Sequence, residues 1–189
     1  MTDRRLSQAI AEGDGISVLV EVRDGAGVVR AEEGGAEGVV ARRAGGGLRA
    51  HTALPLLAYG PAPDDAAADA ADAVVLVADD DALEDRAERC RELGLEIVVR
   101  VRDEDELERA MEDVDPEILL LTAERAEDDQ EPLDRVLELL PDVPAGKLAI
   151  AELSNASRED VQELERAGVD AVLVTGDVEA LVGDAVPDV

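Results

Sequence analysis

Apolar residues fall along this chain in short, nearly uninterrupted runs, several of them entered through a turn of small residues. The pattern occurs at 34–40, 71–77, 94–99 and 168–174, and further apolar runs lie at 16–22, 54–57, 118–121 and 148–151. Together they predict eight strands. Strands that read as apolar throughout, instead of alternating with polar positions, are buried on both faces, as in a parallel sheet covered by helices.

Between the later runs the period changes to about 3.6 residues, which predicts amphipathic helices. Leu83, Ala87 and Cys90 share one face, as do Leu107, Ala110, Met111 and Val114. Leu133, Val136, Leu137 and Leu140 form a third stripe, and Val161 with Leu164 a fourth. Asp103 with Glu106, and Ser157 with Asp160, have the spacing of capping boxes, in which the first side chain accepts from an orphan amide of the opening turn. The first half is thinner. Segments 24–53 and 60–72 are rich in Gly, Ala, Pro and Asp and leave room for one or two helical turns at most.

Eight strand–helix units predict an α/β fold, a reduced TIM (β/α)8 barrel with stunted helices in its first half. One domain spans 1–189: a lead-in at 1–15, the barrel at 16–177, and a short terminal helix and tail at 178–189. Such barrels typically take about 250 residues and seldom fewer than about 200, so an open doubly wound sheet is the alternative.

Charge narrows the partners. The chain carries 47 Asp+Glu against 18 Lys+Arg, a formal net charge of −29. A phosphate backbone would be repelled by that surface, and with Phe 0, Trp 0 and Tyr 1 no aromatic platform for stacked bases can be built. No nucleic-acid partner is expected. The 52 Val, Leu and Ile residues exceed the roughly 20% below which charged chains stay disordered, so an aliphatic core can form. No run approaches the ~18 apolar residues of a membrane span, and a lone Cys90 excludes an internal disulfide. The expected location is the cytoplasm, with no membrane partner. Lys147 is the only lysine; a GC-rich genome and a salt-adapted surface both account for that bias.

The stretch 91–110, RELGLEIVVRVRDEDELERA, and the segments 148–154, 157–161 and 167–174 resemble indole-3-glycerol-phosphate synthase, whose corresponding phrase has the form LGLEVLVEVHDEEELERA. The likeness covers about residues 83–177 and is weak over 16–60. It implies a TIM barrel, tryptophan biosynthesis, and a ring-closing decarboxylation by a lyase that makes indoleglycerol phosphate.

Position by position, the resemblance is mixed. The first-strand motif, a glutamate two residues before a lysine, meets Glu21 and Arg23. The third-strand motif with the general-acid lysine falls on 56–60, which holds Tyr59 and no lysine. The fifth-strand glutamate falls on Arg100, and the sixth-strand Asn-Asn-Arg near 121–123 is absent. The seventh-strand glutamate is Glu152, followed by Leu153-Ser154; the eighth-strand loop becomes Thr175-Gly176-Asp177. The candidate catalytic positions are thus Glu21 and Glu152, retained, and Arg23, Tyr59 and Arg100, substituted. Ser154, Asn155 and Gly176 are the candidate substrate or phosphate ligands, with Asp177 adding charge against a phosphate.

Lysine can be tuned toward neutrality by desolvation, whereas arginine stays charged, so Arg23 cannot donate a proton. Lys147 precedes a strand and should lie at the barrel face opposite the site. Arg100 should place a fixed positive charge near Glu21 and Glu152 and lower their pKa values. With both signs present, Glu21, Arg23, Arg100, Arg102 and Glu152 read as an ion-pair network before they read as a catalytic site. His51, the only histidine, is expected on the surface, since a metal site needs several such ligands; no metal and no cofactor are expected. Cys90 reads as a small buried hydrophobe. The acidic runs 79–81 and 127–129 lack calcium-loop spacing, and Gly45-Gly46-Gly47 is not followed by a Lys-Ser/Thr.

Three functions fit, in this order. The first is a degenerate member of the family, a pseudoenzyme that binds a small molecule, a sugar phosphate for instance, or a protein partner. The second is an active synthase with Arg23 on the substrate carboxylate. The third is another reaction on the same barrel, with Tyr59 and Glu152 as the acid–base pair.

Overall fold

The computed structural model describes residues 6–13, 15–123 and 131–175. Eight strands, β1 (Ser17–Glu21), β2 (Gly38–Ala41), β3 (Leu56–Tyr59), β4 (Ala73–Val77), β5 (Glu96–Val101), β6 (Ile118–Thr122), β7 (Leu148–Leu153) and β8 (Ala171–Val174), close into one barrel in chain order. Every pairing is parallel, and β1 joins β8 through Ser17 opposite Ala171. The open doubly wound sheet is thereby excluded.

Burial on both faces explains the apolar runs. Leu19, Val40, Leu57, Val75, Val98, Leu120, Ile150 and Leu173 pack together inside the barrel. The alternate residues, such as Val18, Val39, Val74, Val99, Leu119 and Val172, pack outward among the helices. A short helix α1 (Leu6–Ala11) adds Leu6 and Ile10 to the interior cluster. It sits at the amino ends of the strands, where Glu96, the first residue of β5, accepts from the Leu6 amide at 2.5 Å and from the Ser7 hydroxyl.

The remaining helices are α2 (Gly25–Glu33), α3 (Pro63–Ala68), α4 (Leu83–Leu93), α5 (Glu104–Asp113), α6 (Pro132–Leu139) and α7 (Arg158–Ala167). The first half is stunted as its composition predicts: α3 has 6 residues, and only a 3-10 turn, Leu48–His51, joins β2 to β3. Helix α2 is longer than expected, at 9 residues. Asp24 caps it, accepting from the Gly27 amide at 2.8 Å, and its first residue must be small, because a Cβ on Gly25 would lie 2.6 Å from the His51 ring. His51 itself is exposed.

Ser157 and Asp160 form the full capping box at α7. Asp103 accepts from the Glu106 amide at 2.9 Å, but the Glu106 carboxylate turns to the Arg102 amide, so the box at α5 is only half formed. Cys90 is fully buried on α4, and burial pushes its thiol up to about 11. Among the described residues, no helix is long and apolar enough to cross a membrane.

Candidate functional site

Alternation sends every second side chain of a strand into the barrel. Two residues beyond the interior Leu19, Val40, Leu57, Val98 and Ile150 stand Glu21, Arg42, Tyr59, Arg100 and Glu152. They form one polar layer over an aliphatic plug, at the carboxyl ends of the strands, where barrels of this kind carry their sites.

Arg42 joins the layer. Its Nε donates to Glu21 Oε2 at 2.7 Å and its Nη2 to Glu152 Oε1 at 2.5 Å. Its guanidinium carbon lies 4.1 Å from the Tyr59 ring centroid, within cation–π range. Tyr59 donates its hydroxyl proton to Glu152 Oε2 at 3.1 Å, and Arg100 Nη1 approaches the same hydroxyl at 3.4 Å. Glu152 is 6% exposed and Tyr59 7%, so both Glu152 oxygens are committed to bonds in a nearly dry setting.

The electrostatics follow from that burial. Desolvation raises the Tyr59 pKa, and the Glu152 charge raises it further, so the phenol stays protonated and donates. For Arg42, burial opposes the charged form, but the bonds to Glu21 and Glu152 outweigh it and raise its pKa. The sequence assigns Arg100 as the cation near both carboxylates; in the structure Arg42 bonds both, while Arg100 reaches the phenol. Arg42 lies outside the positions the family motifs single out. The signal for it was in the alternation Gly38, Val40, Arg42.

Arg23 is exposed beyond the end of β1 and makes no hydrogen bond or ion pair with the layer. Arg102 turns outward onto Glu106 Oε1 and Asp79 Oδ2, the latter at 2.5 Å, an ion-pair network as its mixed charges suggest. Lys147 Nζ donates to Asp115 Oδ1 at 2.6 Å. Both residues precede the first residues of their strands, at the amino ends of the barrel, away from the layer.

Beside Glu152 a cleft of about 630 Å³ opens between the carboxyl ends of β6 and β7 and the first turns of α6 and α7. Ser154 and Asn155 line it with Thr122, Leu133 and Leu153. The Ser154 carbonyl accepts from the Thr175 hydroxyl. Gly176 and Asp177 lie outside the described residues.

Residues 64–183 match the family described as indole-3-glycerol phosphate synthase. A protein of that name from Variovorax paradoxus is 38% identical over 107 residues, 55% of this chain and 40% of that protein. The matched stretch thus spans well under half the length of this relative. Among solved structures, an N-acetylmannosamine-6-phosphate 2-epimerase from Clostridium perfringens superimposes with a TM-score of 0.72 at 15% identity, covering 87% of this chain and 88% of that one. At that identity the likeness is one of fold.

Proposed function

The chain belongs to the indole-3-glycerol phosphate synthase family, and from that premise we propose that it keeps the barrel as a small-molecule-binding scaffold without the ring-closing chemistry. One observation carries this reading. The only lysine, Lys147, is paired with Asp115 at the amino ends of the strands, so no lysine amine serves the polar layer. The guanidiniums of Arg42 and Arg100 remain charged and cannot hand over a proton near neutrality. Glu152, the retained family glutamate, is held by Arg42 and Tyr59 through both oxygens.

In this reading Glu21, Arg42, Tyr59, Arg100 and Glu152 form the floor of a binding site. Ser154 and Asn155 hydrogen-bond the body of a ligand lying in the cleft. The fold alone does not assign a reaction; the side chains at its mouth favour recognition over turnover.

The test is direct. Folded protein incubated with carboxyphenylamino-deoxyribulose phosphate should form no indoleglycerol phosphate across the pH range. Formation at a rate abolished by Glu152→Gln overturns the proposal. Ligand binding should appear as a rise in melting temperature in a screen of phosphorylated sugars, uncharged sugars, carboxylic acids and amines.

The Tyr59–Glu152 hydrogen bond supports a second reading, a proton transfer by that pair on another substrate. Tyr59→Phe separates the two, because it abolishes such a reaction and leaves a pure binding site occupied.

A further inference from the structure

Resting on the binding reading above, we propose that Arg42 is the specificity-determining residue of the mouth and receives the oxyanion end of the ligand. A guanidinium presents five N–H donors. The Nε and Nη2 bonds hold Arg42 between Glu21 and Glu152, and its guanidinium packs against Tyr59, which leaves donors beyond these contacts. The side chain is 33% exposed, at the carboxyl ends of the strands. A partly exposed guanidinium in a fixed orientation can meet a carboxylate or phosphate through two parallel hydrogen bonds.

Fixation is what makes this edge a receptor. Most surface arginines lose rotamer freedom on binding, whereas Arg42 is already immobilised by two carboxylates and by the Tyr59 ring beneath it. Preorganisation removes that cost from the binding step. Arg42 stands between Glu21 and Glu152 and Arg100 brings a second guanidinium to the Tyr59 hydroxyl, so an arriving anion meets two cations in this layer. The neighbouring cleft differs. Among the described residues, Glu131, Asp134 and Asp160 line it and no Lys or Arg does. The oxyanion therefore belongs at Arg42, and the uncharged body of the ligand extends past Glu152 toward Ser154 and Asn155.

Tyr59 is the only aromatic residue in the chain, so intrinsic tyrosine emission reports on this site alone. The experiment titrates acetate and inorganic phosphate separately, at constant ionic strength, into the wild type and three variants. A saturable change in emission is expected in the wild type, and whichever probe gives it identifies a carboxylate or a phosphate as the ligand end. Arg42→Gln should weaken binding at least tenfold, Arg42→Lys should recover part of it, and the remote Arg109→Gln should leave it unchanged.

Equal affinity in folded Arg42→Gln overturns the assignment. If that variant does not fold, undiminished affinity in Arg42→Lys does so instead, since an ammonium cannot present the planar edge. A wild type that ignores both oxyanions while an uncharged sugar or an amine raises its melting temperature also overturns the role of Arg42, and leaves the binding reading standing. A wild type that binds no class of ligand overturns both.

Discussion

Arg42 Cζ sits 4.1 Å from the centroid of the Tyr59 ring, so the one aromatic side chain is covered by the cation that ties Glu21 to Glu152. Through a side chain that leaves the end of β2, the contact adds β1 to a pairing of β3 with β7 that the Tyr59–Glu152 hydrogen bond already makes. A phenol and a carboxylate this well buried could not share the interior with an unpaired charge. Arg42 lets both stay.

Tyr59 should make stability depend on alkaline pH. Its pKa is raised by burial first and by the Glu152 charge second, so the folded state holds the phenolic proton more tightly than the unfolded chain. The contribution is fully present below the unfolded value of about 10 and is lost as pH rises through the higher folded value. Urea midpoints measured upward from about pH 9 should fall more steeply for the wild type than for Tyr59→Phe. Because Cys90, also raised, acts with the same sign, the difference between the two proteins is the quantity to read. Parallel curves would remove the proposed burden on Tyr59.

Arg42 should matter to stability through the charges it leaves behind. Arg42→Met strands a carboxylate that is 6% exposed. The expected loss is about 2–3 kcal/mol, under the range for a fully buried pair because Arg42 is partly in water. Adding Glu152→Gln removes the stranded charge, so the double variant should be more stable than the sum of the single losses by about 0.5–3 kcal/mol. Simple additivity in urea unfolding would show that the bridge carries no coupling.

How much of this the chain announces depends on what each residue must satisfy. The strands were legible because a parallel barrel buries both faces, and Val74-Val75-Leu76-Val77 has no other reason to be continuous. Strand β3 runs Leu56–Tyr59, starting two residues after the apolar run begins at Leu54, and alternation from the interior Leu57 turns Tyr59 inward. The length of α2 was hidden because Gly25 and Gly27 argue against a helix. Asp24 and the ring of His51 supply the cap and the reason for a missing side chain. Arg42 was hidden for a different cause: its role comes from partners 21 and 110 residues away in sequence, and no local pattern carries that information.

Salt should stabilise this protein. A net charge of −29 on 189 residues repels itself in the compact state, and the Debye length shrinks from about 30 Å at 0.01 M to about 3 Å at 1 M. Local pairs such as Arg89 with Asp64 are exposed and contribute little that salt could remove. The melting temperature should therefore rise by several degrees as sodium chloride is raised over that range. A flat or falling curve would mean that the arginine pairs outweigh the repulsion.

The helix at the amino ends of the barrel should depend on one carboxylate. Helix α1 has only 6 residues, too few to hold its shape by its own hydrogen bonds. Two things keep it in place: Leu6 and Ile10 inside the barrel cluster, and Glu96, which accepts from the Leu6 amide and the Ser7 hydroxyl in the manner of a capping side chain. Glu96→Ala removes the second and should cost about 1–2 kcal/mol, as the loss of an N-cap does. Leu6→Ala removes part of the first and should cost about 2–5 kcal/mol through lost burial and a cavity. Hydrogen exchange discriminates the mechanism. Amides of Leu6–Ala11 should exchange faster in Glu96→Ala, while those of β5 and β6 keep their protection, because the cap acts on the helix and not on the strands. Uniform acceleration through the barrel would instead mean that Glu96 supports the strand it begins.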